Sequence, residues 1–327
     1  MVQTTRRTFT SWLAAMAAGA LPASGRAQAT RSAPAIPKLR IVIPANEGGG
    51  WDQTGRALGA AMTAAGAVGQ VEYENIGGKG GTIGLARYVE KYDADPDTVL
   101  ISGMVMVGAV ALQRPAVDMS RIAPLARLTS DYEMVVVKAD SPIVTARDLI
   151  AKLRSDAAGT AIAGGSAGGV DHMFAGMLAR AAGNAAGLVY QPFAGGAQVV
   201  SAVESGKALA GVSGYSEFSE HIASGNLRAI GVSSKNPFLG VPSVRQQGVD
   251  ADLANWRGVF TGKAVPAQRQ AVLLDAARRA VATEVWQKTV KRSNWDNYWM
   301  EGKDFQSFLE LNQAMAGALT YILKLKA

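Results

Sequence analysis

The sequence predicts an α/β protein with mainly parallel sheets. Short β-branched apolar runs recur along the chain, and each is followed by a glycine-rich turn leading into a helical pattern. A composition that is 48% hydrophobic and 18% charged supports a packed core and excludes a disordered chain. At 327 residues the length suits about two ordinary domains.

The first strand is expected at 41–43, with the loop Pro44-Ala45-Asn46-Glu47-Gly48-Gly49-Gly50-Trp51-Asp52 leading into a helix over 52–65. A second strand at 71–73 ends in Asn75-Ile76-Gly77-Gly78-Lys79-Gly80-Gly81-Thr82 and a helix over 82–92. Residues 98–113 form the most nearly membrane-like stretch, but Gly103 and Gly108 interrupt it and its start reads as a buried strand at 99–102. After a strand at 134–137, Thr145-Ala146-Arg147-Asp148 has capping-box spacing and opens a helix over 145–154. Strands at 160–163 and 188–190 are followed by the turns 164–169 and 193–198, then by helices over 171–182 and 198–205. Further strands are expected at 210–213 and 229–233. Beyond Pro266, residues 268–291 and 303–325 read as helices with no strand after them, a tail that packs back on an earlier domain.

Residues 1–29 read as an export signal: Arg6 and Arg7, an uncharged stretch 11–25, then Ala27-Gln28-Ala29 for cleavage after Ala29. The paired arginines followed by Phe9 resemble a twin-arginine signal, with a general secretory signal as the other reading. Without this segment the net charge falls from +7 to +4, and no basic run or aromatic-interleaved basic stripe remains. Nucleic acid is therefore disfavoured. The absence of cysteine excludes disulfides, thiolate metal sites and cysteine nucleophiles, and His172 and His221 have no metal-ligand spacing. No metal or cofactor is expected.

Glycine-rich turns at strand ends are where ligands bind in open α/β sheets, because backbone N–H groups at the next helix start attract anions. Four such turns in two halves of one chain favour a ligand over four idle connections. Neither Gly77–Thr82 nor Gly48–Gly50 has nucleotide-binding spacing. Gly164-Gly165-Ser166-Ala167-Gly168 does satisfy the GxSxG pattern of a serine hydrolase, yet no acid-then-histidine order follows that would complete a triad. Several candidates carry two readings. His172 either donates to a ligand carboxylate or caps and packs, Trp51 walls a pocket or fills core, and Asp52 meets ligand or serves the helix dipole. Lys79 pairs with an anionic ligand or points to water; Glu217 accepts from a ligand hydroxyl or serves its helix start. His221 reads as a surface helix residue, and Trp256, Trp295 and Trp299 as packing for the tail.

From about Leu39 to the end the chain resembles the Bug-type extracytoplasmic receptors of tripartite tricarboxylate transporters. The likeness rests on Gly48-Gly49-Gly50-Trp51-Asp52, Gly80-Gly81-Thr82-Ile83-Gly84, the turn 165–169, Gly211 to Phe218, Leu227 to Val232, Val241 to Val244 and Asn255 to Phe260, in that order. The resemblance implies a two-domain periplasmic binding protein, an α/β Venus-flytrap with two crossing strands near 128–135 and 251–256 and a C-terminal helical segment. The domains would be 36–129 plus 255–327, and 130–254. It also implies a monomeric, non-enzymatic receptor that passes a small carboxylate to integral membrane subunits; a periplasmic sensor subunit that presents its ligand to a signalling kinase is a competing reading. The ligand-binding set would be Asn46, Gly48, Gly49, Trp51, Asp52, Lys79, Gly80, Ser166, Ala167, Gly168, Gly169, His172, Phe193, Gly195, Gly196, Ser213 and Glu217. Lys79 stands where the family often has a small residue, and Glu47 would oppose a carboxylate unless it points outward.

Overall fold

The computed structural model describes residues 34–325; the export signal expected at 1–29 lies outside them. In chain order the elements are β1 (Ile36–Ile43), α1 (Gly50–Ala64), β2 (Val68–Asn75), α2 (Thr82–Tyr92), β3 (Thr98–Gly103), α3 (Met104–Gln113) and β4 (Ile122–Lys138). They continue with α4 (Ala146–Ser155), β5 (Ala161–Gly164), α5 (Val170–Ala181), β6 (Val189–Pro192), α6 (Gly196–Glu204), β7 (Ala210–Gly214), α7 (Tyr215–Ala223) and β8 (Leu227–Val232). The last are β9 (Ala254–Gly262), α8 (Ala267–Val281), α9 (Glu284–Arg292), β10 (Asp296–Glu301) and α10 (Gly302–Ile322).

The strands follow the order β2-β1-β3-β9-β4-β7-β5-β6, with β8 and β10 also paired to β4. The sheets are mixed, not mainly parallel. β1 pairs in parallel with β2 and β3, and β5 with β6 and β7. Every pairing of β4 and β9 is antiparallel. Those two strands return between the βα units without a crossover helix, which parallel pairing requires.

The 17-residue β4 ties the two groups of strands together. Its residues 122–132 pair with β9, and its residues 133–138 pair with β7 and β8. Partners change between Tyr132 and Glu133. Alternation then sorts the side chains. On β9, Trp256 faces away from the cleft, against Phe305 and Phe308 of α10, with its indole N–H donating to Asn312 at 3.1 Å. Asn255 and Arg257, one position either side, take the opposite face.

α3 is apolar all round and buried over Met106–Ala109, as such a helix must be; the membrane-like stretch is a core strand followed by a core helix. Among the described residues no helix is long and apolar enough to cross a membrane. The capping box at Thr145 forms, with the Asp148 amide donating to the threonine hydroxyl at 3.2 Å and the Thr145 amide to the Asp148 carboxylate at 2.9 Å. The helix expected over 268–291 breaks at Thr283, which caps α9 by accepting from the Trp286 amide. Between α9 and α10 lies β10, which the helical pattern hid because none of its six residues is buried and they show no apolar alternation.

Candidate functional site

One cavity of about 260 Å³ is lined by all four glycine turns. Asn46, Gly49 and Trp51 come from the first, Lys79 and Gly80 from the second, Ser166 and Gly169 from the third, and Phe193, Gly195 and Gly196 from the fourth. Ser213 and Glu217, at the junction of β7 and α7, complete the sequence candidates that line it. α1, α2, α5, α6 and α7 all begin at or near this space, so their first-turn amides set a positive field around it. Gly78, Lys79, Gly80 and Gly81 all have positive φ, from 49° to 120°, which lets the second turn fold flat against the cavity. Only Lys79 among them pays the Cβ penalty.

Gly48, Asp52, Ala167, Gly168 and His172 are not among the lining residues. Asp52 accepts from the Gly48 amide, from Arg56 Nε and from Asn75, each at 2.9 Å. Burial opposes ionisation there, but those bonds from Arg56, Gly48 and Asn75 hold its carboxyl below the usual range. Its role is to fix the first loop. Glu47 points outward and pairs with Arg56 at 3.5 Å. His172 Nδ1 accepts from the Gly168 amide at 3.0 Å, and its ring stacks on Tyr190 with centroids 4.1 Å apart. Tyr190 donates its hydroxyl to the Gly165 carbonyl at 2.8 Å. His172 thus braces the third turn from behind. His221 pairs with Glu204 at 2.9 Å. Ser166 lines the cavity and neither histidine does.

Several turn amides that seemed ready for a ligand are already engaged. The Gly165 amide donates to Asp171 at 2.7 Å and the Ala194 amide to Gln198 at 3.0 Å, while Gly196 donates to Glu217. The remaining chemistry comes from β4 and β9. Arg257 and Asp131, both buried, form an ion pair at 3.2 Å at the edge of the cavity. The guanidinium carbon lies 4.9 Å from the Trp295 ring centroid, and a Cβ on Gly50 would come within 2.7 Å of Nη2. Asp131, Asp171, Glu217, Asn255 and Arg257 all line the cavity, with Glu133 fully buried nearby. Sequence reasoning missed Asp131, Glu133, Asn255 and Arg257 as site residues. The signal available was polarity where a strand should be apolar: Ser130-Asp131-Tyr132-Glu133 beside Met134–Val137, and Asn255 and Arg257 flanking Trp256.

Burial pushes the Asp171 carboxyl up to about 7, with neighbouring Glu217 adding to the rise, and pushes Glu133 well above the carboxylate range. Burial drives His172 the other way, to about 4. Linkage gives these groups opposite signs. Asp171 binds its proton more tightly when folded, so its contribution is full below its ordinary 3.8 and is lost as pH rises to about 7. His172 binds its proton less tightly when folded, so its contribution is full above 6.5 and is lost as pH falls towards about 4. Melting curves of Asp171→Asn and His172→Phe should therefore diverge from wild type in mirror image. The Tm difference of Asp171→Asn minus wild type grows with rising pH, and that of His172→Phe minus wild type grows with falling pH, each by several degrees. Parallel curves would contradict both assignments.

The model of the tripartite tricarboxylate transporter family receptor matches residues 58–325. The chain belongs to that family. Among curated proteins, the UPF0065 protein in the tcbD-tcbE intergenic region of Pseudomonas sp. (strain P51) is 27% identical over 262 residues, 78% of this chain and 76% of that protein. Two solved structures share the fold. MatC of Rhodopseudomonas palustris, with bound malate, superposes with a TM-score of 0.74 at 18% identity, covering 87% of this chain and 99% of that one. Rpa4515 of R. palustris, with adipate, gives 0.78 at 18% identity, covering 88% and 98%. The receptor is thus a periplasmic-binding-protein fold, and its family is one of extracytoplasmic solute receptors.

Proposed function

We propose that this receptor captures a small di- or tricarboxylate, such as a malate- or citrate-like anion, in the cavity and delivers it to the membrane subunits of a tripartite transporter. The observation that carries this is Arg257: a buried guanidinium at the cavity edge, whose Nη1 has no hydrogen-bond partner within the protein. A buried cation with a spare donor costs free energy until an anion arrives. Five helix starts around the same space and the carboxylates bound by two relatives of the same fold support the same ligand class.

In this reading the lobes are 36–129 plus 255–327 and 130–254, hinged where β4 changes partners and where the chain re-enters β9. Ligand contacts from both lobes favour the closed form by their differential affinity. The protein is exported, processed after Ala29, and acts in the periplasm as a monomer without catalysis. Lys79, at the rim, adds attraction for anions.

The test is a thermal-shift screen of the processed protein against citrate, tricarballylate, malate, succinate, aromatic acids and amino acids, with calorimetry on each hit. At a hundredfold excess over Kd a true ligand stabilises by about 2.7 kcal/mol, a Tm rise of about 5 °C for a chain of this size. Stabilisation by phosphorylated or neutral compounds, with none by any carboxylate, would overturn the assignment.

A further inference from the structure

α10 begins in one proposed lobe and ends against the other. Its first half is fixed to β9, where Phe305 and Phe308 pack edge-on to Trp256 and the indole N–H donates to Asn312. The last turn leaves that support. Tyr321 and Ile322 are 83% and 50% exposed, while Leu323 is fully buried and Leu325 partly so. Both leucines reach α5: a Cβ on Gly176 would come within 2.9 Å of Leu323 Cδ1 and 3.0 Å of Leu325 Cδ2. α5 is the helix that follows the third glycine turn, and its Asp171 lines the cavity.

Two local choices run against helix preferences, and this contact accounts for both. Gly176 is buried in the middle of α5, where alanine would make the better helix. Its missing side chain is the seat that the leucines occupy. Lys324 takes a φ of 52° just past the end of α10, a left-handed position where glycine is the usual residue. There the Lys324 amide donates to the Tyr321 carbonyl at 3.2 Å and the Leu325 amide to the Thr320 carbonyl at 3.1 Å. This closing pattern turns the chain back on the helix and directs Leu325 towards α5. The contact is small, two leucines on one glycine, so it can open without unfolding either helix.

We propose that Leu323 to Leu325 form a latch between the lobes: seated on Gly176 the turn holds the cleft closed, and it leaves α5 when the cleft opens. The proposal rests on the division of the chain into lobes and adds a third connection between them, besides β4 and β9. Neither leucine lines the cavity, so both act through α5. The strength of the latch sets how often the unliganded cleft stands open.

The experiment needs no ligand. The chain has no cysteine, so nitroxide labels attach only at introduced ones. Arg87→Cys on α2 and Ser201→Cys on α6, both at exposed positions in different lobes, report the distance between lobes by pulsed electron paramagnetic resonance. Lys324→Val puts a β-branched residue at positive φ, and Gly176→Ala fills the seat. Each should enlarge the parted fraction about fivefold or more, while Lys324→Gly, which suits that φ, leaves it at or below wild type. A role in folding alone would lower Tm without lengthening the distance, and that result in either weakening variant overturns the latch, as does parting in Lys324→Gly. Gly108→Ala, which props α3 off the third turn, is the control. If it lengthens the distance and the weakening variants do not, the latch falls and the lobes stand. If none of the four changes it, the division into lobes falls and takes the latch with it. Should Lys324→Val fail to fold, Gly176→Ala decides, since alanine suits the interior of α5.

Discussion

Arg257→Ala is expected to destabilise the unliganded protein by about 3–5 kcal/mol and to abolish ligand capture, because it strips the counter-ion from a carboxyl that has almost no contact with water. Asp131 is 2% exposed, and its other recorded bond is to the Tyr132 amide at 2.8 Å. Burial already raises its pKa, and the Arg257 charge is the main influence holding it down. Without the guanidinium the carboxyl takes up a proton in preference to staying charged. The penalty is therefore smaller in acid and grows as pH rises, since the folded variant holds a proton that the unfolded chain has released. At neutral pH the loss should appear as a fall in Tm of roughly 10 °C. Adding Asp131→Leu to Arg257→Met should restore much of the stability, as apolar replacement of both partners commonly does, without restoring binding. A double variant that recovered both would show that Arg257 serves only the fold.

Much of the architecture was legible because it is locally encoded. The turns, most helix starts and the capping box at Thr145 are written in residues a few positions apart, and the structure places them within a residue or two of expectation. What escaped was long-range. β4 showed only its apolar end, 134–137, because the stretch that enters the cleft is polar for the sake of the site. The Asp131–Arg257 pair spans 126 positions, and no spacing rule connects them. β9 failed for the same reason, its alternation of Asn255, Trp256 and Arg257 being unlike that of a buried strand.

The candidate site divides along the same line. Glycine turns announced where the cavity is, and twelve of the seventeen sequence candidates line it. Four of the five outliers answer to one cause: Asp52 and His172 point back to bond amides of their own turns, Gly48 and Gly168, four positions earlier. A side chain at a helix start can serve its own turn or a ligand, and the sequence does not say which.

Closure can be tested at a glycine that the sequence marked only as an interruption. Gly108 on α3 lies against the third turn, where an added Cβ would collide with the Gly168 carbonyl oxygen and approach Met173 Cε to 2.7 Å. A Cβ added to Gly168 would likewise meet Leu112, and one on Gly169 would meet Val105, so α3 and the 165–169 turn come close along a face beside the cavity. Under the proposed division α3 belongs to one lobe and the turn to the other. Gly108→Ala then acts as a prop: the lobes part slightly, the clash is relieved, and little stability is lost because alanine is the better helix former. Ligand affinity should fall about tenfold or more, since only the fraction of molecules able to close binds productively. Small-angle scattering should show a larger radius of gyration that ligand no longer reduces. If instead α3 and the turn form one rigid body, the methyl has nowhere to go, and the variant should lose about 1–3 kcal/mol of stability as an overpacked core does. The two results separate cleanly in a melting curve run beside a titration, and the second would remove the hinge from the mechanism.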